Sequence, residues 1–373
     1  MKILHTISGM SAKSGGTSSS TYELIKGLQS TNIVADILSF APEVGDKLIG
    51  NEVFIKTVPR SKYFISNAYK KALENSNYQL FHANGIWEYT ELISAKTARR
   101  KKIPFVISPH GMLYPQALTV SKYKKQLFLK LFLMYDLNKS AAVHATCMEE
   151  MQHLRDLGIK SSIAIIPNSV SIPEKVSTST PDKLRIGYLG RVHPRKNIER
   201  LLYVWDKLNL KKMDIELIII GDCDTQYMNF LKVEKEKLNL KNVVFTGFLS
   251  GEAKEKALLS LSYIVVPSDF ENFGMIIPEA LIKGIPVVAS KGTPWEELNT
   301  HQCGWWVDND IDTLATTIET AIHLPEEKRI AMGKRGQELV KNNYSVEVVA
   351  KKMIQLYEWI LSGGEKPEFV YVL

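Results

Sequence analysis

The chain alternates short apolar runs with longer stretches in which apolar residues recur at helical spacing. In the first half the runs are KILHTI (2–7), VADILSF (34–40), YQLFHA (78–83), PFVISPH (104–110), AAVHAT (141–146) and SIAIIP (162–167). Between them lie helix-like stretches such as SSSTYELIKGLQS (18–30) and EYTELISAKTARRKK (88–102). The rhythm lapses at 168–183, NSVSIPEKVSTSTPDK, whose Ser, Thr and Pro content is that of a linker. It then restarts with LRIGYLG (184–190), IELIIIGD (215–222), NVVFTGF (242–248), SYIVVPS (262–268), GIPVVAS (284–290) and GWWVD (304–308). Ile and Val runs with little alternation suit parallel strands covered on both faces, and strand–helix alternation indicates an α/β class.

The pattern predicts two Rossmann-like, doubly wound domains facing each other across a cleft. Their expected limits are 1–170 and 184–344, with a linker at 171–183. The final helical pattern, 345–363, is expected to return to the first domain. Ligands of such sheets bind beyond the carboxyl ends of the strands, so chemistry is sought in the loops that follow strands.

Composition narrows this picture. A chain of 373 residues with 45% hydrophobic and 23% charged content fits a globular protein of two domains, and no apolar run reaches membrane-spanning length. The N-terminus enters a strand pattern directly, without a signal peptide, and a cytoplasmic location is expected. Cys147, Cys223 and Cys303 lie far apart and read as reduced, buried thiols. The net charge is +7, but residues 1–175 carry 22 Lys and Arg against 13 Asp and Glu, whereas 176–373 carry 25 against 27. The excess gathers in KTARRKK (96–102) and SKYKKQLFLKLFLMY (121–135). The second segment suits either an anionic membrane face or a helix with one buried stripe. No nucleic-acid-binding signature accompanies it.

Several loops carry candidate chemistry. Arg191 and Lys196, in RVHPRKN after an expected strand, could neutralise a diphosphate or form an exposed basic turn. Gly15 and Gly16 precede a helix expected to start near Thr17, where backbone N–H groups and the helix dipole favour an anion. In DFENFGMIIPEALIKG (269–284), Pro278 fits the first turn of a helix and Gly284 its end. Glu279 then either complements the dipole or accepts from two hydroxyls, as a ribose presents. Glu271 and the amides of Asn272, Phe273 and Gly274 can bind sugar hydroxyls. His110 leaves a strand at its carboxyl end, and His82, Asn84 and Trp87 leave another. His144 reads as core and His193 as exposed.

The Glu271-x7-Glu279 spacing around Phe273–Gly274, Gly190–Arg191 with Lys196, and SPHG (108–111) together resemble glycosyltransferase family 4, retaining enzymes of the GT-B fold. ASKGTPWEEL (289–298) and CGWWV (303–307) resemble its bacterial surface-polysaccharide members. The resemblance spans essentially the whole chain. It implies a hexose-type sugar moved from a UDP- or GDP-linked donor to a glycan. The basic apolar segment from Lys122 to Leu133 adds the expectation of a lipid-linked acceptor, with the protein peripheral on the inner face of the cytoplasmic membrane. The resemblance further implies that Arg191 and Lys196 hold the diphosphate and Glu279 the ribose. Glu271 with Asn272, Phe273, Gly274 and Met275 would hold the transferred sugar. Main-chain atoms near Phe248 would clasp the base, and Gly16, beside Gly15, would lie by the phosphate. His110 would lie near the reacting sugar. His110, Glu271, Arg191 and Lys196 form the candidate catalytic group, and His82, Asn84 and Trp87 the candidate acceptor contacts. No metal or cofactor is expected: Asp222-x-Asp224 imitates a metal motif but sits in a Gly-Asp loop. A nucleotide-sugar epimerase of the same fold, or a non-catalytic sugar-nucleotide binding subunit, are the alternatives. An NAD-dependent oxidoreductase is disfavoured by the lack of GxGxxG.

Overall fold

The computed structural model describes residues 1–11, 14–50, 53–60, 65–119, 121–173, 178–179, 181–222 and 224–373. Its strands are β1 (Lys2–Gly9), β2 (Val34–Phe40), β3 (Ile55–Val58), β4 (Leu80–Asn84), β5 (Phe105–Ser108), β6 (Ala142–Ala145), β7 (Ile163–Ile165), β8 (Leu184–Leu189), β9 (Ile215–Ile220), β10 (Val243–Gly247), β11 (Tyr263–Val266), β12 (Val287–Ser290), β13 (Gly304–Val307) and β14 (Val370–Tyr371). They divide between two compact units. Unit 1 comprises Met1–Ser171 and Ser345–Leu373, and unit 2 comprises Ile172–Tyr344. Parts of the expected linker (174–177 and 180), and Cys223, lie outside the described residues.

In unit 1 the sheet order is β14-β7-β6-β5-β4-β1-β2-β3, parallel except where β14 pairs antiparallel with β7. In unit 2 the order is β10-β9-β8-β11-β12-β13, parallel throughout. Every strand expected from the apolar runs is present. The two unexpected ones, β3 and β14, sit at sheet edges; β3 has four partly or fully exposed residues and β14 has only two residues. Edge strand β3 buries little, so its sequence carries little apolar signal, whereas β14, in FVYVL (369–373), buries Val370 and is hidden only by its length. In both sheets the order reverses at the first strand. β1 lies between β2 and β4, and β8 lies between β9 and β11. The crevice at such a reversal, beyond the strand ends, is where open α/β sheets bind ligands.

Helix Val346–Ser362 starts at Ser345, whose hydroxyl accepts the N–H of Val348 at 3.4 Å. It packs on helix Gly16–Gln29 and buries Met353, Leu356 and Tyr357 in unit 1. Cys303 is buried and free, its thiol pushed by burial up to about 12. Cys147 is half-buried, with Sγ 3.4 Å from the Tyr114 hydroxyl.

Glu91, on helix Tyr89–Lys101, is 2% exposed and neither carboxylate oxygen has a hydrogen-bond partner. Burial, aided by Asp136 and opposed by Arg99, pushes its pKa from 4.5 to about 8. The folded chain therefore keeps a proton that the unfolded chain has lost, and stability falls as pH rises from 4.5 to about 8. Glu91→Gln keeps the shape and removes the titration. Thermal midpoints followed by circular dichroism should converge near pH 4.5 and separate towards pH 8, the variant gaining a few kcal/mol. Parallel curves would contradict this burial cost.

Candidate active site

In unit 2 the exits of β8 and β11, the two strands at the reversal, are tied together by a charged pair. After β8 the chain makes a short 3-10 turn, Pro194–Lys196, whose first free N–H, from Arg195, is accepted by His193 Nδ1 at 3.3 Å. The turn ends at Asn197, which adopts left-handed backbone (φ 54) before helix Ile198–Lys207. This geometry sends Lys196 inward, to 8% exposure, where its ammonium donates to Glu271 Oε1 in the loop after β11. Burial lowers the Lys196 pKa and Glu271 acts against that shift. Ser268 Oγ donates to the same carboxylate oxygen at 2.8 Å.

The backbone is laced across the same two exits. Asp269 N donates to Arg195 O at 2.9 Å, and Asn197 Nδ2 donates to Pro267 O at 2.9 Å and Asp269 Oδ1 at 2.7 Å. Glu271 N donates to Gly292 O at 2.7 Å. A Cβ at Gly292 would stand 2.2 Å from Asp269 O, so this approach admits only glycine. Arg191, by contrast, is exposed.

Beyond the loop, Phe273 is 5% exposed, its ring packed on Trp295 and Tyr344 while its carbonyl accepts from Trp295 Nε1 at 2.5 Å. Gly274 (φ 77) turns the chain into helix Ile276–Ile282 through Met275, and Gly284 (φ 70) follows the helix end. Glu279 lies in the first turn and its Oε2 accepts from Lys254 Nζ at 2.6 Å. Phe248, after β10, is 68% exposed.

In unit 1 the strand ends carry uncharged polar groups. Gly15 caps helix Gly16–Gln29 with φ 85, a conformation that favours glycine, and both glycines are exposed. Side chains on β1, β4, β5 and β6, with Tyr357 of the last helix, form one directed chain of hydrogen bonds. Its direction is set at one terminus: His144 Nε2 lies 2.7 Å from the Ile166 carbonyl and must donate to it. His144 Nδ1 then accepts from Ser108 Oγ at 2.6 Å, and Ser108 accepts from His82 Nε2 at 2.6 Å. His82 Nδ1 accepts from the Tyr357 hydroxyl at 2.7 Å, and Tyr357 accepts from His5 Nε2 at 2.9 Å. Asn84 Nδ2 completes the chain on His5 Nδ1 at 3.1 Å. Each histidine is a neutral Nε2–H tautomer. Burial holds His5 at about 3, His144 at about 4 and His82 well below its usual range.

His110 follows β5 with φ 51. The next residue, Gly111, donates its N–H to the buried Glu150 Oε1 at 2.5 Å. The His110 ring is partly buried, edge-on to His144, and burial followed by His144 lowers its pKa to about 3.

Comparison with known proteins bears on this arrangement. Residues 14–172 match the family model for glycosyltransferase family 4, and residues 172–339 match that for glycosyl transferases group 1. The chain belongs to the family 4 glycosyltransferases. A GDP-mannose-dependent alpha-mannosyltransferase of Mycolicibacterium smegmatis is 29% identical over 179 residues, 47% of this chain and 43% of that protein. The capsular polysaccharide biosynthesis glycosyltransferase CapM of Staphylococcus aureus is 26% identical over 199 residues, 52% of this chain and 51% of that protein. The matched stretch thus spans about half the length of these relatives. The crystal structure of Anabaena HepE in complex with UDP and glucose superposes with a TM-score of 0.76 at 19% identity, over 96% of this chain and 99% of that one, and shows the shared GT-B fold.

In this chain Lys196 and Glu271, expected to serve different parts of a ligand, touch each other directly. The expectation that His82 meets an acceptor is corrected, because it is 0% exposed and both ring nitrogens are used internally. Asn84 is likewise held at 5% exposure by His5 and the His82 carbonyl. Trp87 is partly exposed. Lys125 Nζ lies 5.6 Å above its ring, the Phe128 ring is 5.8 Å away, and its backbone is left-handed (φ 73). Asp224 accepts the N–H of Tyr227 at 3.0 Å and caps helix Thr225–Lys237, a structural use of its carboxylate. Sequence reading missed Lys254, Tyr357 and Glu150, whose partners Glu279, His82 and Gly111 lie 25, 275 and 39 positions away, and Ser268, which serves Glu271 only because the loop after β11 folds back on itself.

Removing one member of the Lys196–Glu271 pair leaves a partly buried charge without its counter-ion. Lys196→Met should destabilise unit 2 by about 2–4 kcal/mol, and Lys196→Met with Glu271→Leu should restore most of that loss. Differential scanning calorimetry reads both variants. Equal midpoints for the single variant and the wild type would show that the pair carries no structural load.

Proposed function

We propose that the protein is a retaining glycosyltransferase that moves a hexose-type sugar from a UDP- or GDP-linked donor to a glycan in bacterial surface-polysaccharide synthesis, without a metal ion. The carrying observation is the Lys196–Glu271 pair at the β8/β11 reversal, with Arg191 exposed in the same loop. Arg191 and Lys196 neutralise the diphosphate and stabilise the charge that grows on it as the anomeric bond breaks. Lys196 holds Glu271 in place, and Glu271 accepts hydroxyls of the transferred sugar with the amides of Asn272, Phe273, Gly274 and Met275. Glu279 accepts from the ribose, and main-chain atoms near Phe248 bind the base. In unit 1, Gly16 offers its amide to phosphate, beside Gly15, and His110 contacts the sugar. The acceptor attacks the face that the diphosphate leaves, and the leaving phosphate oxygen takes the acceptor's proton. The relatedness to CapM and the UDP and glucose bound by HepE support this reading.

The acceptor reading adds a lipid surface. Residues 122–139 are continuously helical, with a π-helical segment at Leu129–Leu133. Leu129, Leu133 and Leu137 are buried, whereas Tyr123, Leu127, Leu131 and Tyr135, at successive intervals of four, are 55–85% exposed beside Phe132. Lys122, Lys124 and Lys130 are exposed among them, and the sequence has no carboxylate between Glu91 and Asp136. An apolar stripe flanked by lysines suits an anionic bilayer, each lysine adding about 1 kcal/mol near such a surface. Lys125 is excluded from this role because its ammonium bonds Ala117 O at 2.6 Å. No helix among the described residues is long and apolar enough to cross a membrane.

Glu279→Ala tests the donor assignment. Titration calorimetry with UDP and GDP in the presence of EDTA should show about tenfold or greater loss of affinity for the nucleotide that the wild type binds, at an unchanged melting temperature. Unaltered affinity would remove the ribose assignment. For the surface, the wild type should float with phosphatidylglycerol vesicles but not with phosphatidylcholine vesicles. Charge reversal at Lys122, Lys124 and Lys130 should abolish flotation; a reversed variant that still floats, or a wild type that never does, would count against a lipid surface.

A further inference from the structure

Unit 1 contains a small pocket of about 10 Å³ whose lining includes Thr21, Asn84, His110, His144, Ser169 and Met353. Three polar atoms on this lining, Thr21 Oγ1, Ser169 Oγ and His110 Nε2, are buried and have no hydrogen-bond partner. Thr21 and Ser169 are each 1% exposed. The three come from separate elements: Thr21 from the helix that opens at Gly16, Ser169 from the segment after β7, and His110 from the turn after β5. A buried hydroxyl or ring nitrogen without a partner costs about 1–3 kcal/mol, and three in one pocket is a cost that folded proteins rarely carry.

The size and the chemistry of the pocket agree on one remedy. A cavity needs roughly 10–15 Å³ of this kind to admit a water molecule, and a buried water typically makes about three hydrogen bonds to polar groups that lack other partners. Cavities that stay dry are apolar, which this one is not. The other titratable ring on the lining is already satisfied, since both nitrogens of His144 are bonded to Ser108 and Ile166. Asn84 Nδ2 is bonded to His5 and the His82 carbonyl. The unmet bonding capacity therefore belongs to Thr21, Ser169 and His110.

We infer that this pocket binds one ordered water molecule through Thr21 Oγ1, Ser169 Oγ and His110 Nε2, and that Thr21 and Ser169 are positioning residues for His110. The water fixes the ring of a residue whose backbone is already confined to left-handed geometry, and links it to the helix that starts at Gly16. Only the positioning role rests on the proposed function; the water site stands on the pocket alone.

The full-length protein tests both parts. A high-resolution crystal structure of the wild type should contain one density peak within hydrogen-bond distance of all three atoms, and Thr21→Val with Ser169→Ala should remove it. The His110 Nε2 resonance in 15N spectra should shift in that variant. In sugar transfer, kcat should fall about five- to tenfold, the effect of one lost hydrogen bond, while the donor KM changes less than about twofold. Should the double variant fold poorly, Ser169→Ala alone should shift the same resonance in a soluble protein. A wild-type pocket without density overturns the water site. Density together with an unaltered kcat in the double variant overturns the positioning role. Normal turnover by His110→Ala also overturns that role, through the function assigned to His110, and the density separates this failure from that of the water site.

Discussion

A lysine buried to 8% exposure just beyond the strands of an α/β sheet needs a counter-ion, and in unit 2 that need organises the loops there. Lys196 reaches Glu271 because Asn197 turns left-handed and because Gly292 lets the chain after β12 approach Asp269. Ser268 takes up the same carboxylate oxygen, and Asn197 and Asp269 lace the backbones alongside. The outcome is a cation and a carboxylate held at the reversal of strand order, where a ligand of such a sheet binds. Fixed charges of this kind need little rearrangement when charge develops in a reaction, which is the physical basis of electrostatic preorganisation.

Unit 1 solves a similar problem with neutral groups. Its sheet and last helix bury three histidines, a serine and a tyrosine in a single directed chain, anchored on the Ile166 carbonyl. Burial disfavours the charged imidazolium, and each ring has a donor on one side and an acceptor on the other, so neutrality is enforced by both solvation and bonding. Tyr357 contributes from the last helix, and the chain's C-terminal segment thereby supports strands formed by its first hundred residues.

Much of this was legible in the sequence, for identifiable reasons. Continuous Ile and Val runs gave away the central strands, since strands covered on both faces need them. Pro278 and Gly284 bracketed the helix that carries Glu279, and its observed span, Ile276–Ile282, agrees. The edge strand β3 was hidden because it buries little, and β14 because it is only two residues long. The inward turn of His82 was hidden because a strand end pointing at a ligand and one pointing at Tyr357, 275 positions away, look alike in sequence. For the same reason Lys254 gave no sign of pairing with Glu279, and Lys125 looked like its exposed neighbours until its bond to Ala117 O was located.

The account depends most on the claim that the Lys196–Glu271 loops receive a nucleoside diphosphate linked to a sugar. A thermal-shift screen of the full-length protein against UDP, GDP, ADP and CMP and their sugars, with and without EDTA, addresses it directly. At ~100 times its dissociation constant a specific nucleotide adds about 2.7 kcal/mol of stability. The account predicts a shift with the UDP or GDP family, unaffected by EDTA. No shift with any nucleotide, or a shift that EDTA abolishes, would contradict it.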